Sequence, residues 1–247
     1  MSQQHAVVVG GTRGLGRLVA ENFLARGFSV SVVSRHKPAG FDESARLRHV
    51  AADLEKSSAL AQLPTQICDA HGPVSYLVLS QRYRGKGDPW AGEIQVELTA
   101  SRDLIEGFAP LFVDHGDRAI GVVSSAYAEF VGSSQPVGYH VVKGGLNAMV
   151  RHYAVTLGRK GIRVNAIMPF TYLKRESRAF YENNEKLMDV YRRVVPLGRL
   201  GTAQESAHAI DFLCSDRASF INGQCLFLDG GLSVVWQEDV ARTFTDL

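Results

Sequence analysis

Short apolar runs alternate with longer amphipathic segments along most of the chain. A run of four or more mainly apolar residues is typical of a strand buried on both faces of a parallel sheet. Seven such runs predict strands at 6–9, 29–33, 48–52, 74–79, 120–125, 162–168 and 224–228. Apolar positions spaced three and four apart predict helices at 15–27, 55–71, 90–112, 139–157 and 205–213. Strands that alternate with helices favour an α/β protein with one doubly wound parallel sheet and helices on both faces.

Some connections depart from this regular alternation. Only residues 36–46 separate the second strand from the third, with Pro38 and Gly40 among them, so we expect a short or irregular crossover there. Gly144 and Gly145 lie inside a predicted helix, where glycine costs about 1 kcal/mol relative to alanine. Close approach of another helix would offset that cost, and a subunit interface is one candidate. No break in composition divides the chain, so we predict one domain over 1–247.

Composition and charge exclude several classes of protein. Hydrophobic residues make up 45% of the chain, charged residues 21%, and the formal net charge is +2, so nothing favours a nucleic-acid or membrane partner. Cys68, Cys214 and Cys225 are far apart and show no metal-ligand spacing, which predicts reduced core residues and no metal site. No apolar run approaches the ~18 residues of a membrane span. The first apolar run begins at Ala6, leaving no room for a signal peptide, so we expect a cytoplasmic protein.

A glycine-rich turn joins the first strand to the first helix. Its sequence is Gly-Gly-Thr-Arg-Gly-Leu-Gly over 10–16. A helix that begins directly after such a turn presents unpaired N–H groups and its positive dipole end, which favour a phosphate. A plain turn is the alternative, but such a turn rarely needs three glycines at these spacings. We therefore predict a Rossmann-type dinucleotide site, with these turn residues as ligands: Gly10, Thr12, Arg13, Gly14, Leu15 and Gly16.

The end of the second strand bears on which dinucleotide binds. A dinucleotide fold that prefers NAD usually carries an acidic residue about 20 positions after the glycines. An arginine at that position instead suits the 2′-phosphate of NADP. Here Ser34 and Arg35 occupy that place, and Arg13 lies in the glycine turn. Two guanidinium groups that converge on one phosphate favour NADP(H). The alternative is that both arginines are solvated on the surface.

Tyr139 and Lys143 begin the fourth long helix, and Ser125 follows the fifth strand. Residues four apart lie on the same face of a helix, so the phenol and the ammonium can point into one pocket. A neighbouring cation favours the phenolate and makes the tyrosine a usable proton donor and acceptor. The Tyr-x-x-x-Lys spacing alone is weak evidence, because it arises by chance in about a quarter of chains of this composition.

Taken together, these motifs resemble those of the classical short-chain dehydrogenase/reductase family over nearly the whole chain. Val9 stands in the Thr place of the glycine motif T-G-x-x-x-G-x-G, Gly161 to Asn165 is similar to the sixth strand, and Asp229 to Gly231 to the C-terminal signature. The resemblance implies hydride transfer between NADP and a carbonyl or alcohol. Tyr139 would be the general acid–base, Ser125 would hold the reacting oxygen, and Lys143 would bind the nicotinamide ribose. It also implies a homodimer or homotetramer, and further cofactor contacts from Asp53, Leu54, Ser80, Pro169 and Tyr172.

Four features depart from the family pattern. The N-N-A-G after the fourth strand is Leu-Ser-Gln-Arg over 79–82. After the sixth strand, Phe170 replaces the usual Gly and Lys174 the usual Thr, although Thr171 could substitute for that Thr. The Asn that usually completes the proton relay is Glu97. Glu97 could accept from a water and maintain the relay, or it could simply face solvent. The sequence thus favours a carbonyl reductase, with an NADP-binding sensor or scaffold of weak or lost turnover as the alternative.

Two segments at the carboxyl ends of the strands are expected to border the substrate. They are the loop 80–89 and a lid segment at about 170–195. Both combine aromatic and basic side chains: Arg82, Tyr83, Arg84, Lys86, Phe170, Tyr172, Lys174, Arg175, Arg178, Phe180, Tyr181 and Tyr191. This combination predicts a substrate with an apolar or aromatic body and an anionic group. The alternative is that most of these charges are solvated.

Overall fold

A seven-stranded sheet organises the protein in a computed structural model that describes residues 4–173 and 178–245. Its order is β3-β2-β1-β4-β5-β6-β9, and every neighbouring pair is parallel. The strands are β1 His5–Val9, β2 Ser29–Ser34, β3 Leu47–Ala51, β4 Tyr76–Leu79, β5 Ala119–Val123, β6 Arg163–Pro169 and β9 Cys225–Leu228. The strand order reverses beside β1, where β2 lies on one side and β4 on the other. This is the predicted doubly wound α/β fold.

Helices cover both faces of the sheet. The main ones are α1 Gly14–Ala25, α3 Leu63–His71, α5 Ala100–Phe108, α6 Val137–Gly158 and α9 Ala203–Cys214. Strand β1 shows how the two faces are built, because its side chains alternate between them. Val7 and Val9 pack into a core with α3, α5 and α6, while Ala6 and Val8 pack into a second core with α1 and α9. Residues 6–9 of β1 are therefore apolar on both faces of the strand, as the sequence predicts.

Two of the irregular features are also as expected. No helix crosses between β2 and β3, and the predicted helix over 55–71 is divided into α2 Ser57–Leu60 and α3, with Pro64 in the first turn of α3. The predicted helix at 90–112 is α4 Pro89–Glu93 followed by a π-helical segment, Ile94–Thr99, and then α5. No pattern in the sequence indicates this π-helical segment, which carries Glu97. A Cβ at Gly145 would lie 2.9 Å from the Leu98 side chain, which belongs to the π-helical segment. The neighbour that approaches Gly145 closely is therefore this segment of the same chain.

The lid segment is a set of short elements. It contains β7 Tyr172–Leu173, α7 Arg178–Glu182 and α8 Glu185–Val194, and β7 pairs with β8 Gly201–Thr202. Two of its predicted substrate contacts, Lys174 and Arg175, lie outside the described residues. The segment's role as a lid stays a prediction, as do the single domain, the homo-oligomer and the cytoplasmic location. The chain ends with α10 Gln237–Arg242.

Membrane spans, metal-ligand groups and cysteines were searched for among the residues that the structure describes. Within 4–173 and 178–245, no helix is long and apolar enough to cross a membrane. No group of three or more candidate ligands in those same ranges could hold a metal ion. The three cysteines are free thiols, and Cys214 is fully enclosed between the sheet and α9. Burial raises the pKa of Cys214 to about 12, so this thiol stays protonated and acts as a small core residue.

Candidate functional site

A cleft of about 680 Å³ opens at the carboxyl ends of the strands, beside the point where the strand order reverses. In an open α/β sheet this is where ligands bind. Every residue predicted for cofactor binding or catalysis lines it: Gly10, Thr12, Arg13, Gly14, Leu15, Gly16, Ser34, Arg35, Asp53, Leu54, Ser80, Ser125, Tyr139, Lys143, Pro169 and Tyr172. Residues far apart in the chain thus meet in one place.

The glycine turn forms one wall of the cleft, and its glycines are required sterically. Gly10 and Gly14 have backbone φ angles of +78° and +56°, which residues other than glycine rarely adopt. A Cβ at Gly16 would lie 2.5 Å from the Gly10 carbonyl oxygen. A Cβ at Gly14 would meet nothing within 4 Å, so the N-terminus of α1 faces open space. Arg13, at the N-cap, gives the first turn of α1 no side-chain hydrogen bond. This cradle fits a phosphate group of a dinucleotide.

Arg13 and Arg35 both line the cleft. Arg35 Nη1 lies 3.0 Å from Oε1 of Glu55, in an ion pair whose side chains are both more than one third exposed. Glu55 also lines the cleft, and its N–H donates to Asp53 Oδ1 at 3.2 Å. The two arginines therefore share the cleft, but one already pairs with a carboxylate that the sequence analysis did not identify. A phosphate at Arg35 would have to compete with Glu55.

The three predicted catalytic side chains lie along the inner wall. Tyr139 and Lys143 are on the buried face of α6, and Lys143 Nζ lies 5.4 Å from the centre of the Tyr139 ring. Ser125 precedes a short 3₁₀ turn, Ala126–Ala128, and its Oγ accepts a hydrogen bond from the Tyr127 N–H at 3.2 Å. That bond orients the hydroxyl and leaves its proton available to donate. Tyr139 and Lys143 thus line the same cleft, as their helical spacing predicts, and their catalytic roles stay predictions.

Glu97 is the largest departure from expectation. Its side chain is completely buried and Oε2 lies 2.8 Å from Lys143 Nζ, whose side chain is 4% exposed. Lys143 Nζ also donates to the Val123 carbonyl at 3.2 Å, and Glu97 Oε1 accepts from the Tyr83 N–H at 3.2 Å. The interpretation of Glu97 as a solvent-facing residue is therefore wrong. The Glu97 carboxylate can be buried because the Lys143 charge and the hydrogen bond from the Tyr83 N–H compensate for its lost hydration.

The altered loop after β4 also contributes to the site. Gln81 Nε2 donates to Ser101 Oγ at 2.8 Å, which ties the loop to α5. Arg82 places its guanidinium 4.6 Å from the centre of the Tyr139 ring and donates to Gln135 Oε1 at 3.4 Å. An exposed cation thus lies directly beside the predicted proton donor. The pattern of basic and aromatic residues in this loop predicts a substrate contact for Arg82, whereas no sequence pattern indicates a role for Gln81.

The aromatic residues of the lid segment divide into two groups. Phe170 and Tyr181 line the cleft, and each ring contacts Tyr191, with centroids 6.1 and 6.2 Å apart. Burial, followed by the effect of Tyr181, raises the pKa of the Tyr191 hydroxyl. Phe180 is 62% exposed and Arg178 pairs with Glu182, and neither lines the cleft. The alternative that the charges are solvated therefore holds for Arg178, and the aromatic Phe180 lies on the surface.

Comparison with known proteins agrees with this geometry. A family model described as enoyl-(acyl carrier protein) reductase matches residues 9–233. A probable 2,4-dienoyl-CoA reductase of Bacillus subtilis is 28% identical over 250 residues, covering 94% of this chain and 97% of its own. The 3-oxoacyl-[acyl-carrier-protein] reductase of Mus musculus is 29% identical over 242 residues, covering 92% and 97%. The ligand-free aldohexose dehydrogenase of Thermoplasma acidophilum has a similar structure, with a TM-score of 0.80, 26% identity and 95% coverage of each chain.

The family match extends over nearly all of the elements that build the cleft, from the end of β1 to beyond β9. The sheet order is the one implied by the resemblance noted in the sequence, and Ser125, Tyr139 and Lys143 line the same cleft as the glycine turn. The chain therefore belongs to the short-chain dehydrogenase/reductase family and is an oxidoreductase of carbonyl or alcohol substrates.

Proposed function

We propose that this protein is an NADPH-dependent carbonyl reductase that reduces a ketone or aldehyde carrying an anionic group. The observation that supports it best is the convergence of Ser125, Tyr139 and Lys143 beside the glycine cradle, in one cleft. A panel of carbonyl and alcohol substrates, assayed with NADPH and NADP at the nicotinamide absorbance band, tests it. Turnover with members of the carbonyl panel is expected. A protein that binds NADPH but turns over no member of the panel would contradict the proposal.

The chemistry requires a proton at the carbonyl oxygen when hydride arrives from the nicotinamide. Tyr139 is the group to provide it, because its ring is nearly buried on the cleft wall beside the Lys143 cation. General acid–base catalysis of this kind contributes ~10²–10⁴-fold in rate. Ser125 donates a second hydrogen bond to the same oxygen, since its Oγ already accepts from the Tyr127 N–H. The cradle Gly10, Gly14 and Gly16 would hold the pyrophosphate, and Lys143 the nicotinamide ribose.

A second candidate is an NADP-binding sensor or scaffold without effective turnover. The Glu97 carboxylate favours it, because an anion 2.8 Å from Lys143 Nζ partly neutralises the cation that should support Tyr139. The two candidates differ in the effect of NADPH alone. A sensor would bind the cofactor and change its own association or conformation, with no substrate consumed.

The preference for NADPH over NADH is expected to depend on Arg35. Charge-assisted hydrogen bonds to a phosphate are worth ~1.5–3 kcal/mol each, or roughly 10- to 150-fold in affinity. Replacing Arg35 with Asp should therefore narrow or invert the preference, as measured by titration of each cofactor. Glu55→Gln should do the opposite, because it frees Arg35 from its 3.0 Å ion pair. The exposed Arg159, at the end of α6, provides the control Arg159→Asp. Equal affinity of the unmodified protein for NADPH and NADH would contradict the assignment.

Substrate charge is expected to be recognised by Arg82. Its guanidinium is exposed and stands over the Tyr139 ring, where it can pair with a carboxylate or phosphate of a bound substrate. Arg82→Ala should raise KM for an anionic substrate by ~10-fold or more and leave cofactor affinity unchanged. Lys86→Ala is the matched control, since Lys86 is in the same loop but outside the cleft lining. If the preferred substrate is neutral and its KM is unchanged in Arg82→Ala, Arg82 does not recognise substrate charge. The companion residue Arg175 lies outside the described residues.

A further inference from the structure

His140 directly follows Tyr139 in the chain but is outside the lining of the cleft. Its Nε2 accepts a hydrogen bond from the Gly132 N–H at 3.0 Å, and its Nδ1 lies 3.1 Å from the Pro136 carbonyl oxygen. A backbone N–H can only donate and a carbonyl oxygen can only accept, so Nε2 carries the lone pair and Nδ1 the proton. The two bonds therefore fix one neutral tautomer of His140 and tie the loop before α6 to the first turn of that helix.

The His140 ring also packs against Tyr127, with ring centroids 5.4 Å apart. The Tyr127 ring in turn meets the Tyr139 ring edge-on at 6.1 Å, and both tyrosines line the cleft. A Cβ at Gly132 would collide with the Tyr127 ring, so the absence of a side chain there makes room for that ring. Contacts with His140, Gly132 and Tyr139 thus hold the Tyr127 ring in one position at the cleft.

The same loop reaches the cation beside Tyr139. The Gly132 carbonyl accepts from the Gln135 N–H at 3.1 Å, so the residue that His140 holds also orients Gln135. Gln135 lines the cleft, and its Oε1 accepts from Arg82 Nη2 at 3.4 Å. The Arg82 guanidinium lies 4.6 Å from the centre of the Tyr139 ring. Direct contacts therefore connect His140, through Gly132 and Gln135, to the arginine that is proposed to bind the anionic group of the substrate.

We propose that His140 is a positioning residue that holds Tyr127 and Gln135 against the substrate and thereby aims Arg82 at the substrate's anionic group. The proposal rests on the proposed reductase function. A neutral imidazole suits this role, because it combines a flat face for the Tyr127 ring with a donor and an acceptor on its edge. Since His140 does not line the cleft, it acts on the substrate only through the loop.

The test compares steady-state reduction of a keto carboxylate and of its neutral methyl ester by His140→Phe, His140→Gln and the control His152→Phe. Phenylalanine keeps a flat ring beside Tyr127 but removes both hydrogen bonds, whereas glutamine retains a donor and an acceptor. His152 is exposed on the same helix, where its ring contacts Tyr153 at 5.2 Å, outside the cleft lining.

The expected result is a change in KM for the charged substrate. His140→Phe should raise KM for the keto carboxylate by ~5-fold or more, and KM for the ester by less, while kcat and NADPH affinity stay within about 2-fold. His140→Gln should recover part of the loss, and His152→Phe should match the unmodified enzyme.

A double-variant cycle separates positioning from a general loss of structure. Gln135→Ala should itself raise KM for the keto carboxylate, and His140→Phe should add little in that background, because both residues act through one hydrogen-bonded loop. A structural role alone would lower the melting temperature of His140→Phe, but its effect would neither couple to Gln135 nor distinguish the carboxylate from its ester.

The inference is overturned if folded His140→Phe keeps the KM of the unmodified enzyme for the keto carboxylate, if the effects of the two variants add, or if carboxylate and ester are affected equally. If His140→Phe does not fold, His140→Gln takes its place in the cycle and is judged by the same criteria. An enzyme that reduces only neutral carbonyl compounds would also overturn the inference and leave the reductase function intact. If the unmodified protein shows no turnover at all, the proposed function itself has failed, which is a distinct outcome.

Discussion

Replacing Tyr139 with phenylalanine is expected to lower kcat by ~10²–10⁴-fold while NADPH still binds. The change removes the hydroxyl group that is proposed to donate the proton but keeps the ring. The contacts of that ring with Tyr127, at 6.1 Å, and with the Arg82 guanidinium, at 4.6 Å, should therefore persist. The measurements are kcat for a substrate found in the panel, fluorescence titration with NADPH, and thermal unfolding to show that the variant is folded.

Tyr153→Phe is the matched control for this experiment. Tyr153 is on the same helix, α6, and its hydroxyl donates to Glu106 Oε1 at 2.8 Å, well away from the cleft lining. Its loss should cost about 1 kcal/mol of stability and leave kcat unchanged. If Tyr139→Phe retains most of its activity, another group supplies the proton and the assignment of Tyr139 is wrong.

Replacing Arg163 with methionine is expected to reduce the free energy of unfolding by about 3 kcal/mol. The guanidinium is buried at the start of β6, where it donates to three carbonyls at the end of α9: Leu213 at 2.6 Å, Cys214 at 3.0 Å and Ser215 at 2.9 Å. These are carbonyls that a helix leaves without partners at its C-terminus, and a cation there also interacts favourably with the helix dipole. Methionine keeps much of the aliphatic stem, so the loss is mainly that of the hydrogen bonds.

Urea unfolding of Arg163→Met measures this change, with Arg159→Met as the control. Arg159 follows α6 and is exposed, so its replacement should alter stability by less than about 0.5 kcal/mol. A shift in melting temperature of roughly 2–4 °C per kcal/mol should accompany the loss in a chain of this size. Equal stability of the two variants would show that the buried guanidinium is not needed at the end of α9.

Most of the fold follows from periodicities that act over a few residues. Side chains alternate across a strand and recur every three or four positions on a helix, so runs such as 6–9 and stripes such as 15–23 identify their elements without any knowledge of the rest of the chain. The same local geometry put Tyr139 and Lys143 on one face of α6. The glycines at 10, 14 and 16 are equally local, because a backbone φ near +60° or a missing Cβ is a property of a single position.

Contacts between distant segments were decided only by the tertiary structure. Glu97 has the same sequence pattern whether it faces solvent or Lys143, and it is the packing of the π-helical segment against α6 that buries it. Glu55 pairs with Arg35 because β2 and the turn after β3 end at the same edge of the sheet. Arg163 reaches α9 for a similar reason. The sequence by itself determined the seven strands of the sheet, the main helices, the glycine turn and the placement of Tyr139 and Lys143 on one helix face, because short-range backbone geometry sets them. The partner of each charged side chain depends on how strands and helices from remote parts of the chain are placed together, and no local pattern encodes that.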